Sequence, residues 1–281
     1  MKADAELRRI WLCADDYGMS PAVNRAIRDL IERGRLNATS AMVVGPAIGR
    51  DEASALRSAV AKSPRCAVGL HVTLTAPFRP LTMHFTPVDG GMFLPFQKLF
   101  RAGLFGRLDP EVIRTEVLVQ LKSFGELFGR APDFVDGHQH AQLFPGVRDG
   151  FLAAVKEAAP DAWVRQCGRV QPLLERLREP KALALDVLSA QFRRRARQAG
   201  IAFNPGFAGA YDFAAQVDFA DLMKTFLQGL PEQGVIMCHP GVVDDVLVSL
   251  DPLTVQRERE YGFLAGEDFP QLLATNHASL G

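Results

Sequence analysis

Asp15 and Asp16 stand side by side at the end of an apolar run formed by Ile10, Trp11, Leu12 and Cys13. Such a run reads as a buried strand. Two adjacent carboxylates at its end are expensive to bury unless something cationic shares them. Four of the six histidines fall within or directly after similar runs: His71, His138, His140 and His239. Asp136, His138 and His140 recur at a spacing of two, which on a strand points all three the same way. Carboxylate and imidazole with open positions make the donor set of a borderline divalent metal. An ion held that way turns water into a nucleophile near neutral pH and polarises a carbonyl oxygen. Taken singly, each residue has an ordinary role, as an Asp N-cap with a solvated neighbour or as a hydrogen-bonded core histidine. The joint pattern points to a site, on condition that the strands carrying these residues meet.

The elements between them satisfy that condition. Strands are expected at Ile10–Ala14, Ala38–Val44, Cys66–Thr75, Asp133–Leu143, Ala162–Cys167, Ile201–Asn204 and Val235–Cys238. Helical patterns fall at about 22–33, 52–61, 111–128, 150–158, 181–198, 219–228 and 254–263, with Ser20 and Pro21 opening the first as N-cap and first helical residue. Alternation of this kind argues for parallel βαβ units. Seven of them with no Ser/Gly linker favour one α/β domain over 1–281, a (β/α) barrel with seven strands. A barrel places its active site at the C-terminal ends of the strands, where the acids and histidines stand. The long stretch at about 76–109, rich in Pro, Gly and Phe, is an insertion. Loops of this length are uncommon without a function, and this one suits a lid, a dimer contact or a binding groove. Its plainest reading is a loop folded onto the barrel by its own aromatics.

Composition narrows the function. With 281 residues, 48% apolar, and 32 acids against 32 bases, the chain is globular and carries no net charge to favour nucleic acid or an anionic surface. The basic run Arg193-Arg194-Arg195-Ala196-Arg197 falls near a helix C-terminus, where the macrodipole favours cations. Four cysteines without paired spacing read as buried free thiols in a reducing compartment. The start, MKADAELRR, lacks an apolar signal core and no run approaches bilayer length, so a cytoplasmic location is expected.

Five segments, in order, carry a resemblance: ADDYGMS, GRLNATSAMVVGP, GLHVTLT, FGRAPDFVDGHQH and VIMCHPG. From Trp11 to about Gly241 the chain resembles the YdjC family, the ChbG/HpnK group of carbohydrate deacetylases. The resemblance implies a deacetylase-type barrel and metal-dependent removal of an N-acetyl group from an amino sugar, such as a chitooligosaccharide or lipid-linked N-acetylglucosamine. The family's metal ligands fall on Asp16, His71 and His138. Magnesium is the ion that the resemblance suggests, whereas two imidazoles suit zinc, cobalt or manganese better. One position departs from the family: Gln142 stands where another histidine is usual. Gln cannot exchange a proton, so this position is expected to line the sugar.

On that footing Asp15, beside the ion, is the candidate general base. Pro240 and Gly241 fix a tight turn behind His239, the candidate acid for the leaving amine. A backbone N–H near Tyr17 or Gly18 is the candidate oxyanion donor. Asp136 and His140 would orient a ligand imidazole, with His140 equally suited to touching the sugar. Phe207, Tyr211 and Asp212 are the further sugar-side candidates, each with ordinary loop packing as the alternative. The expected partner is a small acetylated sugar or glycolipid, with a homodimer the default assembly. Two other readings stay open: a metal-dependent hydrolase of another bond, such as a phosphoester, and a non-catalytic carbohydrate-binding barrel.

Overall fold

The computed structural model describes residues 7–63, 65–170, 180–213 and 217–281. Seven strands form one parallel sheet: β1 (Trp11–Tyr17), β2 (Ala38–Ala41), β3 (Ala67–Val72), β4 (Phe134–Gly137), β5 (Trp163–Val164), β6 (Phe207–Ala208) and β7 (Val235–Cys238). Across the sheet they run β5-β4-β3-β2-β1-β7-β6. Each strand from β1 to β4 therefore lies beside its successor in the chain, as β6 does beside β7, and β7, the last main-sheet strand in sequence, lies beside the first. The sheet curls toward a barrel whose seam falls between β5 and β6. Two isolated parallel bridges, Val164 to Phe203 and Arg169 to Phe207, join the edges there.

The helices are α1 (Pro21–Glu32), α2 (Arg50–Ala61), α3 (Phe96–Leu104), α4 (Pro110–Phe128), α5 (Arg148–Ala158), α6 (Pro180–Ala199), α7 (Phe219–Leu227), α8 (Asp245–Leu250), α9 (Val255–Ala265) and α10 (Asp268–Thr275). Local chemistry sets their starts. Ser20 accepts the Val23 N–H at 3.2 Å and Pro21 fills the first helical position of α1, the arrangement that satisfies an otherwise orphaned donor. Gly18, at φ +103°, makes the turn between β1 and α1, which an L side chain would resist. Val23, Ile27, Leu30 and Ile31 of α1 are all buried against the sheet. At the other end of the chain, Arg8–Arg9 pairs in parallel with Ala278–Ser279 and ties the two termini of the described chain together.

Four expectations are corrected. Strand β4 ends at Gly137, and His138–Leu143 is a 3-10 turn with Gln139 and His140 at φ +54° and +57°. Asp136, His138 and His140 therefore do not share one strand face, because the left-handed residues reverse the chain after His138. Asp15 and Asp16 lie inside β1, whose register with β2 shifts between Ala14 and Tyr17. At 201–204 only Phe203 makes a bridge, and the strand next to β7 is Phe207–Ala208. The 76–109 stretch is more structured than a loop, holding a two-residue hairpin (Val88–Asp89 with Met92–Phe93) and α3. It buries Phe78, Phe85 and Phe93 and leaves Met83 and Phe105 exposed. The four cysteines are free and buried, as expected, and no described helix is long and apolar enough to cross a membrane.

Gly69 of β3 shows how tightly the wall is packed. A Cβ there would lie 2.5 Å from the Phe134 ring, which is itself stacked on Trp163 at 4.6 Å. Gly69→Ala is expected to lower unfolding free energy by about 1–3 kcal/mol through overpacking. Urea unfolding checks this, and an unchanged midpoint would mean that the ring yields.

Candidate metal centre

Strand β1 carries its two acids into the barrel mouth by a backbone irregularity. Asp16 adopts φ +68°, uncommon for a non-glycine residue and most accessible to Asp and Asn. Both carboxylates are buried, Asp15 at 2% exposure and Asp16 at 1%. His71 enters from β3 and His138 from the turn after β4. Ligand atoms of Asp16, His71 and His138 all lie within 4.8 Å of one another. His71 Nε2 stands 3.4 Å from Asp16 Oδ1, and His138 Nδ1 stands 3.1 Å from the same oxygen. The two rings meet edge to face at 5.5 Å, and Phe78 of the insertion walls His138 at 5.8 Å.

Two of the three donors are held from behind. Asp136 Oδ1 lies 2.6 Å from His71 Nδ1. An ionised carboxylate only accepts, so the ring proton sits on Nδ1 and the Nε2 lone pair faces Asp16. Arg257 donates to Asp16 Oδ2 at 2.6 Å and to Asp251 at 2.6 Å, which leaves Asp16 Oδ1 for the site. Burial pushes the Asp16 carboxyl up, and Arg257 and His138 pull it further the other way, well below the usual carboxylate range. Three buried donors of this hardness, at this separation, with one imidazole already fixed in its ligating tautomer, fit a divalent cation.

Asp15 is held by a different cation. Arg165 grips it in a fork, Nη1 to Oδ2 at 2.8 Å and Nη2 to Oδ1 at 2.6 Å, and also pairs with Asp136. Ser40 Oγ lies 3.4 Å from Asp15 Oδ1 and 3.1 Å from His71 Nδ1. Burial raises the Asp15 carboxyl, and Arg165 with His71 and His239 brings it down to about 2. His239 follows β7. Burial lowers its imidazole to about 4, though the charges of Asp16 and Asp15 favour its protonation. His239 Nδ1 is buried and has no hydrogen-bond partner among the described residues.

The sugar-side candidates separate. His140 faces Cys167 Sγ at 3.5 Å and the Phe207 ring edge to face at 5.8 Å, and burial lowers it to about 4. Phe207 is fully enclosed, at 0% exposure. Gln142 is enclosed too, and donates to the Arg165 carbonyl at 3.2 Å beneath the mouth. Tyr211 gives its hydroxyl to Glu260 at 2.7 Å, while Asp212 is exposed. Gly18 is removed as an oxyanion donor, because its single N–H is bonded to Asn24 Oδ1 at 2.6 Å.

Arg165, Arg257 and Glu260 went unassigned in the sequence reading. An arginine inside the apolar run Ala162–Cys167 was the available signal, since a strand cation needs a buried carboxylate. Arg257, Glu260 and Leu264 sit at i, i+3 and i+7 and are all buried, the spacing of one inward helix face. Arg165→Met is expected to cost about 3–5 kcal/mol of stability at pH 7, because it strands two buried carboxylates without their counter-charge. Urea unfolding measures this, and a loss below about 1 kcal/mol would show that Asp15 has another partner.

The profile of the family described as YdjC-like protein matches residues 9–275. Chitooligosaccharide deacetylases of Yersinia pestis (strain Pestoides F) and Yersinia pseudotuberculosis serotype O:1b (strain IP 31758) are each 28% identical over 249 residues. The match covers 84% of this chain and 83% of theirs. The crystal structure of an Enterococcus faecalis V583 protein, described as a cellobiose-phosphate cleavage protein, superposes with TM-score 0.75 at 20% identity. It covers 99% of this chain and 97% of that one, a likeness of fold.

Proposed function

The chain belongs to the YdjC-like protein family, and from that premise we propose that it is a metal-dependent carbohydrate deacetylase. Its reaction would be hydrolysis of the N-acetyl group of an acetylated amino sugar to free amine and acetate. The observation that carries this reading is the pair Asp15 and Asp16: adjacent buried carboxylates held by two different arginines, one facing the histidines and one set beside them. A site meant only to hold an ion has no use for the second acid. Relatives that carry the name chitooligosaccharide deacetylase support the substrate class.

Asp16, His71 and His138 would hold the ion. When bound, it would polarise the acetamide oxygen and make a water more acidic. Asp15 takes the proton of that water. Arg165 keeps Asp15 ionised, which readies it as an acceptor but makes it a weak one, so the proton is passed on rather than retained. His239, held neutral at rest by burial, takes up the proton that Asp15 passes on and gives it to the departing amine nitrogen. His140, Tyr211 and Asp212 form the sugar-facing side, with Phe207 and Gln142 as the packing behind it. The Phe-walled insertion bounds the ion's other flank through Phe78.

Acetate release from N-acetylglucosamine oligomers tests the reading. Activity should vanish with a chelator and return with an added divalent ion. Asp15→Asn should keep bound metal yet lose about 10²–10⁴-fold in kcat, the range for removal of a general base. Near wild-type turnover by that variant would overturn the base assignment, and chelator-resistant activity would overturn the metal.

A further inference from the structure

Glu260 is a fully buried carboxylate for which the reaction above has no use. It projects from α9, and each oxygen takes a partner from a different strand end. Oε1 accepts from the Tyr211 hydroxyl at 2.7 Å, in the segment after β6. Oε2 accepts the backbone N–H of His239 at 2.5 Å, directly after β7. Phe213 closes the triangle, packing on the His239 ring at 5.5 Å and on Tyr211 at 4.3 Å, while its carbonyl accepts from Gln256 of α9. A carboxylate is costly to bury, and the cost is met only when it accepts strong hydrogen bonds. Here both of those bonds end on active-site segments rather than on the scaffold.

We propose that Glu260 is a positioning residue of the deacetylation, fixing the Tyr211 segment that faces the sugar against the His239 imidazole that protonates the leaving amine. The proposal rests on the deacetylase reading given above. The bridge has two forms. Ionised, Glu260 accepts from both partners; protonated, one oxygen becomes a donor and the bond to Tyr211 must reverse or break. Groups facing it are Tyr211 from the β6 side, His239 and Cys238 from β7, Asp15 from β1, and Arg257 on its own helix. Burial pushes the carboxyl up to about 7, with Tyr211, the His239 N–H and Arg257 drawing it part of the way back.

The test compares wild type and Glu260→Gln from about pH 5.5 to about pH 8.5, as metal-loaded full-length enzyme on an N-acetylglucosamine oligomer. Wild-type kcat/KM should show an inflection near pH 7. Glu260→Gln should lack it, staying at the wild-type low-pH level and falling about tenfold below wild type at the alkaline end, the worth of one charge-assisted hydrogen bond. A loss uniform across pH, or wild-type kinetics in the variant, would overturn the proposal. If wild type itself releases no acetate, the deacetylase reading has failed, and the bridge is then read without activity. Among the three tyrosines, the ¹³Cζ signal of Tyr211, identified by Tyr211→Phe, should shift through a midpoint near pH 7 and lie flat in Glu260→Gln. A flat wild-type signal would overturn the bridge.

Discussion

Among the described residues, three buried aspartates at one barrel mouth face two buried arginines, and the arrangement of the site follows from that imbalance. Asp15, Asp16 and Asp136 are each exposed by 2% or less, as are Arg165 and Arg257. Arg165 is shared between Asp15 and Asp136, and Arg257 between Asp16 and the partly buried Asp251. Carboxylates in excess of guanidiniums, taken out of water, are tolerable only with a further cation or with hydrogen bonds to every oxygen. Arg257 takes Asp16 Oδ2, and Oδ1 is turned toward both His71 and His138. A cation among Asp16, His71 and His138 would ease that excess with donors already in place, which is the physical case for a metal ion there.

The scaffold makes this affordable by dividing labour among distant segments. β1 supplies the two acids, β3 and the turn after β4 supply the imidazoles, the segment directly after β5 supplies Arg165, and α9 supplies Arg257 and Glu260. Parallel strands bring all their C-terminal ends to one rim, so residues separated by most of the chain can share one cluster of charge. The left-handed backbone at Asp16 and at Gln139 and His140 is the local strain that turns regular strands into ligand-bearing ends, as is common at functional sites. The two arginines then fix which oxygen of each acid is available. On the deacetylase reading proposed above, that selection separates an ion-holding Asp16 from a proton-accepting Asp15, although the two are neighbours in sequence.

Much of this was legible in the residues. Alternating strands and helices gave the seven-stranded barrel, and the resemblance to the YdjC family picked out Asp16, His71 and His138, whose ligand atoms the fold brings within 4.8 Å of one another. Periodicity misled at His138 and His140, because a spacing of two looks the same whether the chain stays extended or reverses through two left-handed residues. It also hid Phe207, which pairs with β7 where a loop was expected. The positioning arginines were harder still, since a charge on a helix such as α9 reads as solvated until the tertiary structure shows which face is buried. Gly18 illustrates a different limit: its N–H was a fair oxyanion donor until Asn24, six residues on, was seen to occupy it.

Counting ions per chain tests the charge argument most directly. Elemental analysis of the purified protein after saturation with a divalent metal and removal of excess should give about one tightly held equivalent per chain. His71→Ala and Asp16→Ala, checked for folding by circular dichroism, should hold none. A wild-type chain that binds no ion, or folded variants that bind as wild type does, would contradict the claim that these three side chains share a cation.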